Sequence, residues 1–182
     1  MEILELMKQR HSVRQYKDTA VEKSQRTALN HLVEEINRKE GLHIQIFYDE
    51  PKCFDSRMAH YGKFTGVKNY IALVGRKSAG LDETLGYYGE KIVLKLQELG
   101  LNSCWVAMTH GKSKAEVKKG EKEICLISFG YGENQGVPHK SKLSFELGPD
   151  GKVRASCGMG FYTKLDLGIV KYHFEMGSGR KL

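Results

Sequence analysis

Residues 84–106 read Thr-Leu-Gly-Tyr-Tyr-Gly-Glu-Lys-Ile-Val-Leu-Lys-Leu-Gln-Glu-Leu-Gly-Leu-Asn-Ser-Cys-Trp-Val. Leu85, Tyr88, Ile92, Leu96 and Leu99 recur at helical spacing and form one apolar stripe, while Glu90, Lys91, Lys95 and Glu98 form the wet face. Gly100 stops the helix, because a residue without Cβ enters the left-handed region at little cost. An apolar run over Ser103–Met108 follows at once and reads as a strand. A long amphipathic helix feeding directly into a buried strand sets the class: helices and strands are interleaved around a sheet. Gly86 and Gly89, one turn apart, let something approach the helix closely. Two readings stand for them, namely tight helix–helix packing, including a dimer seam, or contact with a flat ligand.

Working outward, helix-period segments cover Glu2–Arg10 and the stretch carrying Val21, Ala28, Leu29, Leu32 and Ile36 up to Gly41, with Thr19 and Glu22 as its capping box. His43–Tyr48 alternates as a half-buried strand, and Tyr70–Val74 is a continuous apolar run, hence a central strand. Residues 49–68 read mostly as loop. Glu123–Phe129 is a further strand, Leu143–Gly151 a strand and turn, and Val153–Ala155 a short strand. Leu165–Met176 is a final helix capped near Thr163 or Asp166. Lys112–Lys119 reads as a short solvated helix, with Ser113 and Glu116 as capping box and Gly120 as its stop. The expected fold is a single α+β domain over 1–182, with a central mixed or antiparallel sheet flanked by helices and a frayed tail at 177–182.

With 182 residues, 40% hydrophobic and 28% charged, the chain suits one globular domain. No run approaches the roughly 20 apolar residues of a membrane span. The N-terminus, with Glu2 and Glu5, lacks a signal pattern, so the expectation is a cytoplasmic protein with no membrane partner. Cys53, Cys104, Cys125 and Cys157 are scattered singly, which argues for reduced structural thiols and against a metal site. His60, His110, His139 and His173 show no i,i+4 pairing; His173 on an apolar helix reads as packed. Gly130-Tyr-Gly132 lacks the lysine and hydroxyl of a phosphate loop. The net charge of +7 raises nucleic acid as a partner, but the basic residues are dispersed among 22 acids and form no long run. A positive field of this kind attracts anionic small molecules.

The strongest chemical signal is Arg10-His-Ser-Val-Arg14 at the end of the first helix, where two guanidinium forks flank a hydroxyl. Arg-His-Ser-Val-Arg-x-Tyr after a Met/Leu-rich helix resembles the opening of FMN-dependent nitroreductases. The unit 84–106, the strand Ile127-Ser-Phe-Gly-Tyr-Gly132 and Pro138-His-Lys-Ser-Lys142 resemble the family's later elements in the same order. Asp166-Leu-Gly-Ile169 with His173-Phe174 is similar to one nitroreductase-like subgroup. About three quarters of the chain aligns with the family in this way.

The resemblance implies an FMN oxidoreductase that accepts hydride from NADH or NADPH and passes it to a nitroaromatic, quinone or similar small-molecule acceptor by ping-pong turnover, as a homodimer. It assigns Arg10 and Ser12 to the flavin phosphate, with His11 beside them, and Arg14 to the N1/O2 edge, where a cation stabilises the reduced ring. Lys140 and Lys142 complete the phosphate clamp. Trp105, Val106 and Ala107 correspond to the strand end near N5/O4, with Asn102 and Ser103 as alternates; Trp105 is equally readable as a core or interface residue. Many members also carry an Asn-x-Gln segment on the flavin, and this chain has none. Two alternatives therefore accompany the enzyme: a degenerate flavin- or nucleotide-binding protein without turnover, and a basic nucleic-acid-binding module.

Overall fold

The computed structural model describes residues 2–138 and 143–182. The elements run α1 (Ile3–Gln9), α2 (Lys23–Glu40), β1 (Gln45–Phe47), a 3-10 turn (Pro51–Phe54), α3 (Arg57–Tyr61), β2 (Asn69–Arg76) and α4 (Leu81–Glu98). They continue with β3 (Asn102–Val106), β4 (Glu121–Gly130), β5 (Leu143–Leu147), β6 (Val153–Cys157) and α5 (Thr163–Ser178). The central sheet has the order β1-β2-β4-β3 and is antiparallel throughout. β5 and β6 form a separate antiparallel ribbon.

Alternation along the central strands builds two cores. Ile71, Leu73, Cys125, Ile127 and Phe129 face α2 and α4 and join Leu29, Val33, Ile36, Leu85, Ile92 and Leu96. Tyr70, Ala72, Val74, Cys104, Val106 and Leu126 face the other way and are covered by Val13, Tyr16, Phe54 and Phe64. Tyr70–Val74 is fully buried in the middle of the sheet, as a strand covered on both faces should be.

After α1 the chain runs beside the outer edge of β3. Val13 N–H donates to Ser103 carbonyl at 3.0 Å, and Ser12 exchanges backbone hydrogen bonds with Val137 at 2.8 and 3.0 Å. The Arg10–Arg14 string is thereby pinned where α1, β3 and the end of β4 meet.

Four local expectations are corrected. The cap of α2 is Glu22, whose backbone N–H donates to Gln25 Oε1 at 2.9 Å, and not Thr19, whose N–H turns back to the Lys17 carbonyl. Residues 49–68 contain the 3-10 turn and α3 rather than loop alone. α5 begins at Thr163 behind Tyr162, which takes a left-handed φ of 62° and makes no side-chain cap. Lys112–Lys119 is not helical. Gln45 holds Glu116 through both backbone groups (2.9 and 3.0 Å), Tyr70 Oη accepts from Lys114 N–H at 2.9 Å, and Ser113 donates to Glu123. These side chains satisfy the backbone donors and acceptors that a helix would otherwise use, so the segment stays extended.

α4 and α5 make the closest helix crossing. A Cβ at Gly86 would stand within 3 Å of the Leu165 carbonyl, and one at Gly168 within 3 Å of the Glu83 carbonyl. Gly89 lies under the Trp105 ring. Of the two readings for this glycine pair, the structure shows close packing, and it is packing within one chain.

Candidate functional site

α1 ends at Arg10, whose backbone N–H closes the last turn on Leu6. Its side chain turns inward, and the residue is only 6% exposed. Beneath it lies Glu90 of α4, 1% exposed. The sequence reading put Glu90 on the wet face; the structure buries it. Gly86, Gly89, Glu90 and Val93 follow i, i+3, i+4, i+7 spacing, so they form a second buried face, which α5 and Trp105 cover.

Three elements converge on this carboxylate. Trp105 Nε1 of β3 donates to Glu90 Oε2 at 3.1 Å. His173 Nε2 of α5 lies 2.9 Å from Oε1, and Arg10 Nε lies 3.9 Å from the same oxygen. A buried carboxylate is tolerated when it is paired and hydrogen-bonded in this manner. Arg10 is less well served. Its Nη1 is buried and, among the described residues, has no hydrogen-bond partner. An unsatisfied buried donor costs about 1–3 kcal/mol, and more when it is charged, so the atom fits a site completed by an anion.

A cleft of about 400 Å³ opens beside it, lined by Met7, Lys8, Arg10, His11, Pro138, Ile169, Val170 and His173. Its described charged and titratable groups are Lys8, Arg10, His11 and His173, and none is acidic. This suits the phosphate end of a flavin nucleotide, with Arg10 supplying a fork and Ile169 and Val170 an apolar wall.

The residues singled out in the sequence are thus partly gathered. Arg10 and His11 line the cleft, with His11 Nδ1 2.8 Å from the Gln9 carbonyl. Trp105 reaches the same centre from below through Glu90 while its ring packs on Gly89. Ser12 lies at the β3 edge, bridged through its backbone to Ser103 and Val137. Arg14 is exposed, with its guanidinium 5.7 Å from the centre of the Phe64 ring, against the core on the far face of the sheet. Val106 is buried in that core, and the Ala107 carbonyl accepts from Tyr162 Oη at 3.3 Å. Lys140 and Lys142 lie outside the described residues.

Cys104, not singled out in the sequence, is buried in the far-face core, within electrostatic reach of Arg10, Ser12 and Arg14. Burial pushes its thiol up, and the two arginines and the Ser12 hydroxyl oppose that only in part. Glu90 and His173 were also missed. The glycine spacing around Glu90 was the available signal; for His173 nothing local distinguished a packed ring from a paired one. Among the described residues no group of three or more His, Cys, Asp or Glu could hold a metal, and no helix is long and apolar enough to cross a membrane.

Comparison with solved structures gives the same architecture. An FMN-dependent nitroreductase from Clostridium difficile R20291 superposes with a TM-score of 0.59 at 21% identity, covering 75% of this chain and 91% of that one. A nitroreductase-like protein from Streptococcus mutans gives 0.61 at 14% identity, covering 76% and 92%. A putative nitroreductase from Desulfovibrio desulfuricans, solved in complex with FMN, gives 0.57 at 16% identity, covering 77% and 91%. At these identities the likeness establishes the fold. A search of curated proteins finds no match to the chain. The family model described as "Putative TM nitroreductase" matches residues 2–147, from the first helix through β5. That match spans well over half of the chain, and the protein belongs to this nitroreductase family.

Proposed function

We propose that the protein is an FMN-dependent oxidoreductase, drawing hydride from NADH or NADPH and delivering it to a nitroaromatic, quinone or similar small acceptor. The observation that carries this reading is the buried Arg10 Nη1, which has no partner among the described residues, at the wall of a cleft whose described lining holds no acidic residue, in a chain of nitroreductase family and fold. Bound FMN would supply the two-electron redox chemistry that no side chain here provides.

The chain's own residues would do the following. Arg10, fixed by its α1 turn and by Glu90, donates charge-assisted hydrogen bonds to the phosphate, with no rotamer search on binding. Lys8 and His11 add positive and polar groups at the mouth. Ile169 and Val170 exclude water from one wall. Lys140 and Lys142 are proposed as the remaining clamp. Arg14, exposed beside the β3 edge, is proposed as the cation for the electron-rich edge of the ring, where fixed positive charge favours the reduced state. Trp105, Val106 and Ala107 are proposed to line the ring.

The active form is proposed to be a C2 homodimer. Phe145, Leu147, Met159 and Phe161 are large apolar side chains left exposed on and just after the β5–β6 ribbon, with Phe161 91% exposed. Several large apolar side chains exposed on one ribbon and the turn after it suit an association surface.

Titrating FMN into the flavin-free protein while following flavin fluorescence tests the cofactor, and NADH or NADPH oxidation with a nitroarene or quinone tests turnover. Saturable quenching with turnover is expected. Saturable FMN binding without turnover would favour the degenerate-site reading, which the missing Asn-x-Gln segment supports. No FMN binding overturns the proposal.

A further inference from the structure

The family match ends at residue 147, yet the Arg10 centre is completed by α5, which carries His173. Arg10 and Glu90 are buried, and His173, whose side chain is a third exposed, joins them to form a trio. With the imidazole neutral, its charges cancel; with the imidazole protonated, the trio carries one net positive charge. Arg10 Nε and His173 Nε2 address the same oxygen, Glu90 Oε1, at 3.9 and 2.9 Å. They share that oxygen as counter-charges.

We propose that Glu90 is the positioning residue of the anion site. It fixes Trp105 through Oε2, and its charge sets how strongly Arg10 binds an anion. Protonated His173 takes over the pairing of Glu90 and releases Arg10 to the ligand. The inference rests on the reading that Arg10 holds an anion, not on the ligand's being FMN.

The other groups facing His173 do not duplicate this role. From α1, Lys8 and His11 line the same cleft. From α4, Glu83 is paired with Lys171 at 2.6 Å, and Tyr87 donates to Glu175 at 2.7 Å. From β3, Trp105, which donates to Glu90, carries no charge. The sign follows: an anion is bound more tightly at low pH, and affinity falls as His173 loses its proton.

Sulfate is the probe, because it remains a dianion across the histidine range while phosphate does not. On the full chain without flavin, calorimetry between pH 5.5 and 8 should show sulfate affinity falling by about tenfold. His173→Gln should flatten that slope, whereas His11→Gln and His139→Gln should keep it. Glu90→Gln, which retains shape and one acceptor, should tighten sulfate binding at pH 8 by at least about fivefold, since it removes a like charge beside the anion. A merely structural Glu90 would give the opposite sign. If Glu90→Gln fails to fold, the slope in the wild type against His173→Gln decides alone. Arg10-dependent binding that is flat with pH, or a slope carried by His11 or His139, overturns the inference while leaving the anion site standing. No sulfate binding by the wild type overturns both.

Discussion

Arg10 differs from the other described cations of this basic chain in being buried, and its Nη1 has no acceptor among the described residues. Replacing it with Ala removes charge-assisted bonds worth roughly 1.5–3 kcal/mol, so FMN affinity should fall about ten- to a hundredfold in a fluorescence titration. The fold should survive, since the backbone of residues 12 and 13 is held by main-chain bonds. The cysteines divide by environment. Burial and the nearby carboxylates Glu123 and Glu50 push the Cys53 thiol up to about 12, and burial raises Cys104 and Cys125 as well. Cys157 is half-buried on the β5–β6 ribbon. Reactivity follows the thiolate and its access. Iodoacetamide at pH 8, read by intact mass, should therefore label one cysteine quickly, Cys157, and the other three only after urea unfolding.

At the level of elements, the α4–α5 crossing depends on glycine at two positions. Gly168→Ala gains up to about 1 kcal/mol of helix propensity, but its methyl would overlap the Glu83 carbonyl and crowd the Tyr87 amide. Backbone cannot move aside as a flexible side chain can, and overpacking costs about 1–3 kcal/mol or more. A net loss of about 2 kcal/mol in urea unfolding is expected, together with weaker anion binding, because α5 carries His173 into the cleft. Much of the element pattern was legible beforehand. The α4–β3 unit, the strand at Tyr70–Val74 and the β4 strand were written in local periodicity. The segment 112–119 was not, because its Ser-x-x-Glu signature is a local preference, and Gln45, Tyr70 and Glu123 from distant strands outcompeted it.

For the whole molecule, the proposed dimer is checked by sedimentation. A C2 dimer at micromolar concentration is expected, with Leu147→Lys combined with Phe161→Ser giving monomers; a wild-type monomer that still binds FMN and turns over would sink the dimeric arrangement. Acid response is also a property of the whole chain. Glu121 is held below the usual carboxylate range by His43 and the Lys118 amide, Glu50 by Lys114, and Asp150 by Arg154 and the Lys152 amide. Groups with depressed folded values stabilise the protein above their unfolded values, and that contribution disappears as pH falls through the folded ones. The urea midpoint should stay level from pH 8 to about 5 and drop below that. Glu121→Gln should make the drop shallower.

The sequence by itself determined the class, most of the central strands and long helices, and the cationic string at 10–14, because each is encoded within a few turns of chain. It also carried the family, since the motifs and their order survive in one dimension. Only the tertiary structure decided that Arg10 and not Arg14 enters the cleft, that Glu90 is buried, and that His173 meets it 83 residues away. Helical periodicity tells which residues share a face but not what covers that face. Here α5 arrives late in the chain to cover α4, and its close approach through Gly86 and Gly168 turns a solvated carboxylate into the centre of the candidate site.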